Sequence, residues 1–365
     1  MRVAVIGASG NIGTSVLRAL IGDGEISSVI AVARRSADGF GKVEWRERDV
    51  TRDDLRPDLE GMDAVICLSW LIQPSRDEAT LRATNVDGSR RVFEASAAAG
   101  VPALLYSSSV GAYSHGPKDR PVNESWPTDG IETSFYSRHK AEVERILDDF
   151  EAHHPAIRVV RMRPGLVFKR EAASEIRRLF AGPLLPRFLV RRSLIPLVPS
   201  TPRLRFQAVH SLDVGEAFRL ALHTGVRGPI NLAADPVLDG PQLGRLLRAR
   251  PVRTSPRVLR AAADLSWRLR LQPTPPGWVD LALGVPIMDT ARARTELGWT
   301  PRYTAGEALL QLLDGIHARA GADTPTLRTE GGGTARAREV LTGIGGREDT
   351  KAVTSTSGPG AAGRG

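Results

Sequence analysis

The sequence predicts a doubly wound α/β fold: a parallel sheet covered by helices on both faces, with a smaller C-terminal lobe. Three observations predict it. The chain opens on a short apolar run, Val3-Ala4-Val5-Ile6, that ends in closely spaced glycines. Strand-like apolar runs and helix-patterned segments then alternate as far as residue 162. The 365 residues, 41% of them hydrophobic and 25% charged, are enough for two lobes or one large α/β body.

Val3–Ile6 reads as a buried parallel strand because it has no polar face. Thr14–Leu20 has helical apolar spacing, and Val29–Val32, Val43–Arg48 and Ala64–Leu68 are the next three strands. Arg82–Ala99 is a helix stopped by Gly100 and Pro102. Leu104-Leu105-Tyr106 starts a fifth strand, Ser134–Ala152 is a helix, and Ile157–Met162 is the sixth strand. Residues 1–165, with returning segments near 206–224, form the first unit, and 166–320 form a lobe interleaved with it. Residues 181–202 carry five prolines and read as an irregular, lid-like segment; Leu184–Pro199 suits either an apolar pocket wall or core. Order returns at Phe206–Thr224 and Thr290–His317, and 321–365, rich in Gly, Thr, Ser, Arg and Ala, reads as a disordered tail.

The net charge of +9 is uneven, with 19 basic against 7 acidic residues between 169 and 270. No aromatic stacking platform or helix-turn-helix accompanies it, so a nucleic-acid partner is not expected. Prolines break any amphipathic basic helix and no apolar run approaches about 20 residues, so neither is a membrane partner. The start at Met1 shows no leader pattern, and the expected location is cytoplasmic. Cys67 lies in an apolar run and reads as a small buried hydrophobe; the seven histidines lack ligand spacing, so no metal is expected.

Gly7-x-x-Gly10-x-x-Gly13 follows a strand and opens a helix. Its glycines let backbone approach a diphosphate, and the amides of Ser9, Asn11 and Ile12 meet the anion at the positive helix end, a Rossmann-type dinucleotide site. The second strand ends in Arg34-Arg35, with no carboxylate for a ribose hydroxyl. Two guanidiniums suit a 2′-phosphate, so NADP is expected ahead of NAD, with Asp49 and Val50 placed to meet the adenine.

Tyr136 and Lys140 stand four residues apart, on one helix face, downstream of the strand end Ser107-Ser108-Ser109. With Asn85-Val-Asp-Gly88, Ser107–Tyr113, Arg163–Phe168, His210-Ser-Leu-Asp213-Val214 and Leu297-Gly-Trp-Thr-Pro301, in that order, the chain resembles the extended short-chain dehydrogenase/reductase family, the NAD-dependent epimerase/dehydratase group. The resemblance implies an NAD(P)-dependent oxidoreductase or epimerase acting on a small molecule with a carbonyl or hydroxyl. Tyr136 would be the acid/base, Lys140 would lower its pKa and hold the nicotinamide ribose, and Ser109 would bond the reacting oxygen. Ser108 would support the strand end, and Ser107 would lie beside the cofactor. Leu68, Ser69 and Trp70 would line the diphosphate and ribose, Pro164 and Val167 would border the nicotinamide, and Asn85 would have a supporting role. Relatives often pair into homodimers. This sequence departs from nucleotide-sugar members at Arg205-Phe-Gln-Ala-Val209, where the acid is absent, and it lacks the Thr-Asp-Glu triplet of dehydratases. Dehydration is therefore disfavoured, while sugar epimerisation and redox chemistry on a less polar carbonyl stay open. The rival is an NADP-binding sensor without turnover.

Overall fold

The computed structural model describes residues 1–37, 41–73, 75–180 and 195–328. Among them, β1 (Arg2–Ile6), β2 (Ser28–Ala33), β3 (Val43–Glu47), β4 (Ala64–Cys67), β5 (Ala103–Ser107), β6 (Arg158–Pro164) and β7 (Gly228–Leu232) make one parallel sheet. The spatial order is β7-β6-β5-β4-β1-β2-β3, so the winding direction reverses between β1 and β4. That switch point opens a crevice at the carboxyl ends of the strands. Six of the strands were legible in the sequence. The seventh was missed because Gly228-Pro229 reads as a turn; Pro229 is tolerated since β7 is an edge strand with a partner on one side only.

The pleat of β1 shows why the sheet is buried on both faces. Val3 and Val5 join one core with Val16, Leu17 and Leu20 of α1 (Asn11–Ile21), while Ala4 and Ile6 join a second core on the opposite face. That second core takes Val92 and Phe93 from α2 (Gly88–Ala98) and Val143, Leu147 and Phe150 from α3 (Phe135–His153). α3 starts where the Ser134 hydroxyl caps the Ser137 amide. The helix expected over Arg82–Ala99 begins earlier, at Glu78, and is interrupted by a π turn at Ala83–Asp87. The turn points the Asn85 amide at Leu71, whose N–H and C=O it bonds at 2.7 and 2.8 Å, fixing the loop after β4.

After β6 the chain builds a second, three-stranded sheet from Leu166–Phe168, Phe206–His210 and Ala234–Leu238. From it α4 (Ser211–His223) returns to pack on α1. Two motifs far apart in sequence meet here. Trp299 is 1% exposed and its indole N–H donates to the Asp213 carbonyl at 2.8 Å, while the Asp213 carboxylate accepts from the amides of Arg302 and Tyr303 at 3.0 and 3.1 Å. Of Ile195–Pro199, the described part of the Leu184–Pro199 stretch, only Val198 is core, packing with Leu247 and Ala249, while Leu197 is exposed. Leu184–Leu194 lies outside the described residues. Trp299→Ala removes both the ring and the tie to Asp213, and is expected to cost about 3–5 kcal/mol as a lowered midpoint of urea unfolding.

Candidate active site

The crevice above the switch point is a cleft of about 550 Å³. The glycine loop forms its floor. Gly7, at φ +84°, lets the chain leave β1 against β4, since a Cβ there would sit 2.6 Å from the Ser69 amide nitrogen. Gly13 is held as tightly: a Cβ there would sit 2.5 Å from the carbonyl oxygens of Gly7 and Ala8. Gly10 differs: a Cβ on it would meet only the Gly7 carbonyl, at 3.6 Å, so its outer face opens to the cleft. It is also the N-cap of α1 and supplies no side-chain cap, and the first turn holds no acid. Asn11 Oδ1 is buried without a partner in the same place. An uncapped helix start and an open glycine face fit the diphosphate of a dinucleotide.

Opposite the loop, α3 presents Tyr136, Lys140 and Glu144 at four-residue spacing on one face. Tyr136 is half-buried against the ring of Trp278, 4.9 Å between centroids, and edge-on to Trp70 at 5.7 Å. Burial pushes its phenol up, and the hydrogen bond with the Ser109 hydroxyl opposes this. Ser109 Oγ is in turn fixed by the Gly111 N–H at 3.0 Å. Lys140 donates to the Ser107 carbonyl at 2.7 Å and the Tyr106 hydroxyl at 3.2 Å, with its ammonium 3.4 Å from the centre of the Trp70 ring. Burial pushes this ammonium down to about 7, with Cys67 and Glu144 partly offsetting it. The expected lowering of the Tyr136 pKa by Lys140 is therefore not found. The ammonium lies 6.0 Å from the Tyr136 ring centre and spends its charge on Trp70, so burial of the phenol wins.

Residues 3–233 match the profile of the NAD dependent epimerase/dehydratase family. The chain belongs to that family. An uncharacterised protein of Mycobacterium tuberculosis is 25% identical over 326 residues, which is 88% of this chain but 31% of that protein. The chain thus spans about a third of the length of the first curated relatives it matches. Among solved structures, UDP-glucose 4-epimerase of Thermotoga maritima with UDP-glucose superposes with a TM-score of 0.63 at 22% identity, covering 87% of this chain and 99% of that one. MoeE5 in complex with UDP-glucuronic acid and NAD gives 0.62 at 20% identity, with the same coverage. Both share the fold.

Every residue assigned to cofactor or chemistry from the sequence lines this one cleft, except Arg35. Arg35 is exposed, its charge acting on Glu47, whose carboxylate is lowered first by the Ser36 amide and hydroxyl. Sequence reading missed Arg48, which lines the cleft beside Arg34 and pairs with Asp58 at 2.7 Å. It is one residue past β3, as Arg34 is past β2, and that parallel was the available signal. Asp49, next to it, is pushed up by burial, but hydrogen bonds from Thr51 and the Arg34 charge leave it below the usual carboxylate range. Lys169, also missed, is buried behind the α1 start and donates to the Asn11 carbonyl at 2.7 Å and to the Thr14 and Ser15 hydroxyls. Trp278, Phe180 and Leu281 line the far end and carry no spacing signal.

The stretch expected to be a tail also contributes. Residues 321–328 form a turn with Thr324 and Leu327 buried; Thr324 Oγ1 donates to the Ser9 carbonyl at 2.8 Å, and Thr326 Oγ1 pairs with Ser9 Oγ at 2.9 Å. Residues 329–365 lie outside the described residues. Cys67 is buried as expected, and burial pushes its thiol up to about 11. Among the described residues there is no metal-binding cluster, and no helix is long and apolar enough to cross a membrane.

Behind Lys140, Glu144 is 0% exposed. Its carboxylate accepts from Arg163 at 2.8 and 2.9 Å, from Arg161 at 3.1 Å and from the Ser108 hydroxyl at 2.5 Å. Burial pushes the acid up, yet these partners outweigh it and hold it at about 2, against the usual 4.5. A carboxyl lowered on folding stabilises the fold above its unfolded pKa, so this contribution is present above pH 4.5 and lost as pH falls through 2. Glu144→Gln strands the buried guanidiniums. It is expected to cost about 3–5 kcal/mol at pH 7 and to flatten the loss of stability between pH 4.5 and 2, as followed by denaturant titrations at stepped pH.

Proposed function

We propose that the protein is an NAD(P)-dependent oxidoreductase or epimerase, working at a carbonyl or hydroxyl carbon of a small molecule with Tyr136 as acid/base. The observation that carries this reading is the convergence of Tyr136, Ser109 and Lys140 with the glycine loop in one cleft at the strand ends. When bound, the nicotinamide supplies hydride exchange with the substrate carbon. The loop from Gly7 to Gly13, through Ser9, Asn11 and Ile12, holds the diphosphate, with Leu68, Ser69 and Trp70 along it. Asp49 and Val50 flank the adenine, and Pro164, Val167 and Ser107 border the nicotinamide end. Lys140 turns from the Trp70 face to the nicotinamide ribose, where hydroxyl oxygens offer better acceptors than a ring face. Ser109 bonds the reacting oxygen, and Tyr136 gives or takes its proton. NADP is the proposed cofactor ahead of NAD, because Arg34 and Arg48 stand together where a 2′-phosphate would be held.

A raised phenol pKa sets the sign of the pH dependence. Carbonyl reduction needs the protonated phenol and is expected to hold through neutral pH, while alcohol oxidation needs the phenolate and should climb steadily into the alkaline range. Tyr136→Phe is expected to abolish turnover with cofactor affinity nearly intact, read by stopped assays and by fluorescence titration with NADPH. Full activity in that variant refutes the assignment; binding of NADPH with no turnover across a carbonyl panel favours the sensor reading. Arg34→Ala should weaken NADPH by roughly 10- to 100-fold and leave NADH little changed. Tighter binding of NADH than NADPH by the unaltered protein removes the case for NADP.

A further inference from the structure

We infer that the substrate is an apolar, ring-bearing ketone or secondary alcohol, held by the aromatic walls around Tyr136, in place of a nucleotide sugar. The inference rests on the reading of Tyr136 as acid/base and adds the substrate class. Its first support is the make-up of the walls. The Tyr136 ring is flanked by Trp278 and Trp70, and the Trp278 ring is closed off edge-on by Phe180 at 4.9 Å. Leu281 and Val110 complete this end of the cleft. Ring faces and edges of this kind offer apolar surface to a carbon ring, with the Trp70 and Trp278 indole N–H groups, buried without a partner, as the walls' own donors to a single oxygen.

The second support is where the charges sit. Arg34 and Arg48, at the ends of β2 and β3, lie across the glycine loop from Tyr136, on the adenosine side. Lys140 is the remaining cation of the described lining, and its proposed partner is the cofactor ribose. The other charged groups on the described lining are acids, Asp49, Asp77 and Glu175. Arg203 and Arg205, on the segment leading into the small sheet, donate to main-chain carbonyls: Leu283 and Gly116 for the first, Lys118 for the second. A nucleotide diphosphate brings two negative charges that need pairing once they leave water. An uncharged ring compound needs none.

The test uses the full chain with 1-tetralone and UDP-glucose as probes. The first readout is quenching of tryptophan fluorescence; the second is consumption of NADPH, as 1-tetralone, NADPH and a proton become 1-tetralol and NADP⁺. Saturable quenching by 1-tetralone is expected, weakened at least about 5-fold in Trp278→Leu and again in Phe180→Leu, with no response to UDP-glucose. The second variant guards against a folding defect in the first, and thermal melts of both check for one. If 1-tetralone binds in this manner while NADPH is not consumed, the substrate class stands and the acid/base reading fails. If UDP-glucose is turned over, the acid/base reading stands and the substrate class is overturned; if it displaces 1-tetralone without turnover, the substrate class alone is overturned. Absence of saturable 1-tetralone binding overturns it as well.

Discussion

The Glu144 carboxylate, dry and shared between Arg161, Arg163 and Ser108, is the contact on which the geometry of the cleft depends. It belongs to α3, while the arginines come from β6 and the serine from the end of β5. One ionic node therefore sets the height and rotation of α3 against two adjacent strands. Lys140 and Tyr136 sit one and two turns before Glu144 on the same helix face, so fixing Glu144 fixes where they emerge. Arg163 extends the node through the Tyr113 hydroxyl, which donates to Asn231 of β7. Burying such charges is costly, and the return is position more than net stability.

Around that node, burial rather than charge pairing decides the proton affinities. Tyr136 is raised and Lys140 lowered chiefly because each leaves water among rings. The ammonium finds its compensation in the Trp70 face and the Ser107 carbonyl, both of which lie on the cleft. Trp70 is held there by the Asn85 clamp on its neighbour Leu71. The π turn in the preceding helix is thus a local departure from regular winding that serves the site.

The second half of the chain is tied to the first at the same loop. Lys169 and Ser211 both donate to the Asn11 carbonyl, and the Asn11 side chain reaches the Val167 carbonyl at 3.1 Å. Thr324 and Thr326 approach Ser9 from the other end of the sequence. The loop proposed to carry the diphosphate is in this way braced by three segments that are remote along the chain.

The sequence by itself determined six strands of the sheet, because mostly apolar runs drive a strand to burial on both faces, and it determined the glycine loop, because spacing after a strand encodes a tight turn. It also marked Tyr136 and Lys140 through their helical spacing. Tertiary structure decided the rest. Arg48 joined the cleft and Arg35 did not, since strand register, not sequence proximity, aims a side chain. Trp278 and Phe180 reached Tyr136 from distant segments with no periodic signature. Lys140 bonded Trp70 instead of tuning the phenol because contact distance and dielectric are properties of the folded molecule, and no pattern of residues along a chain contains them.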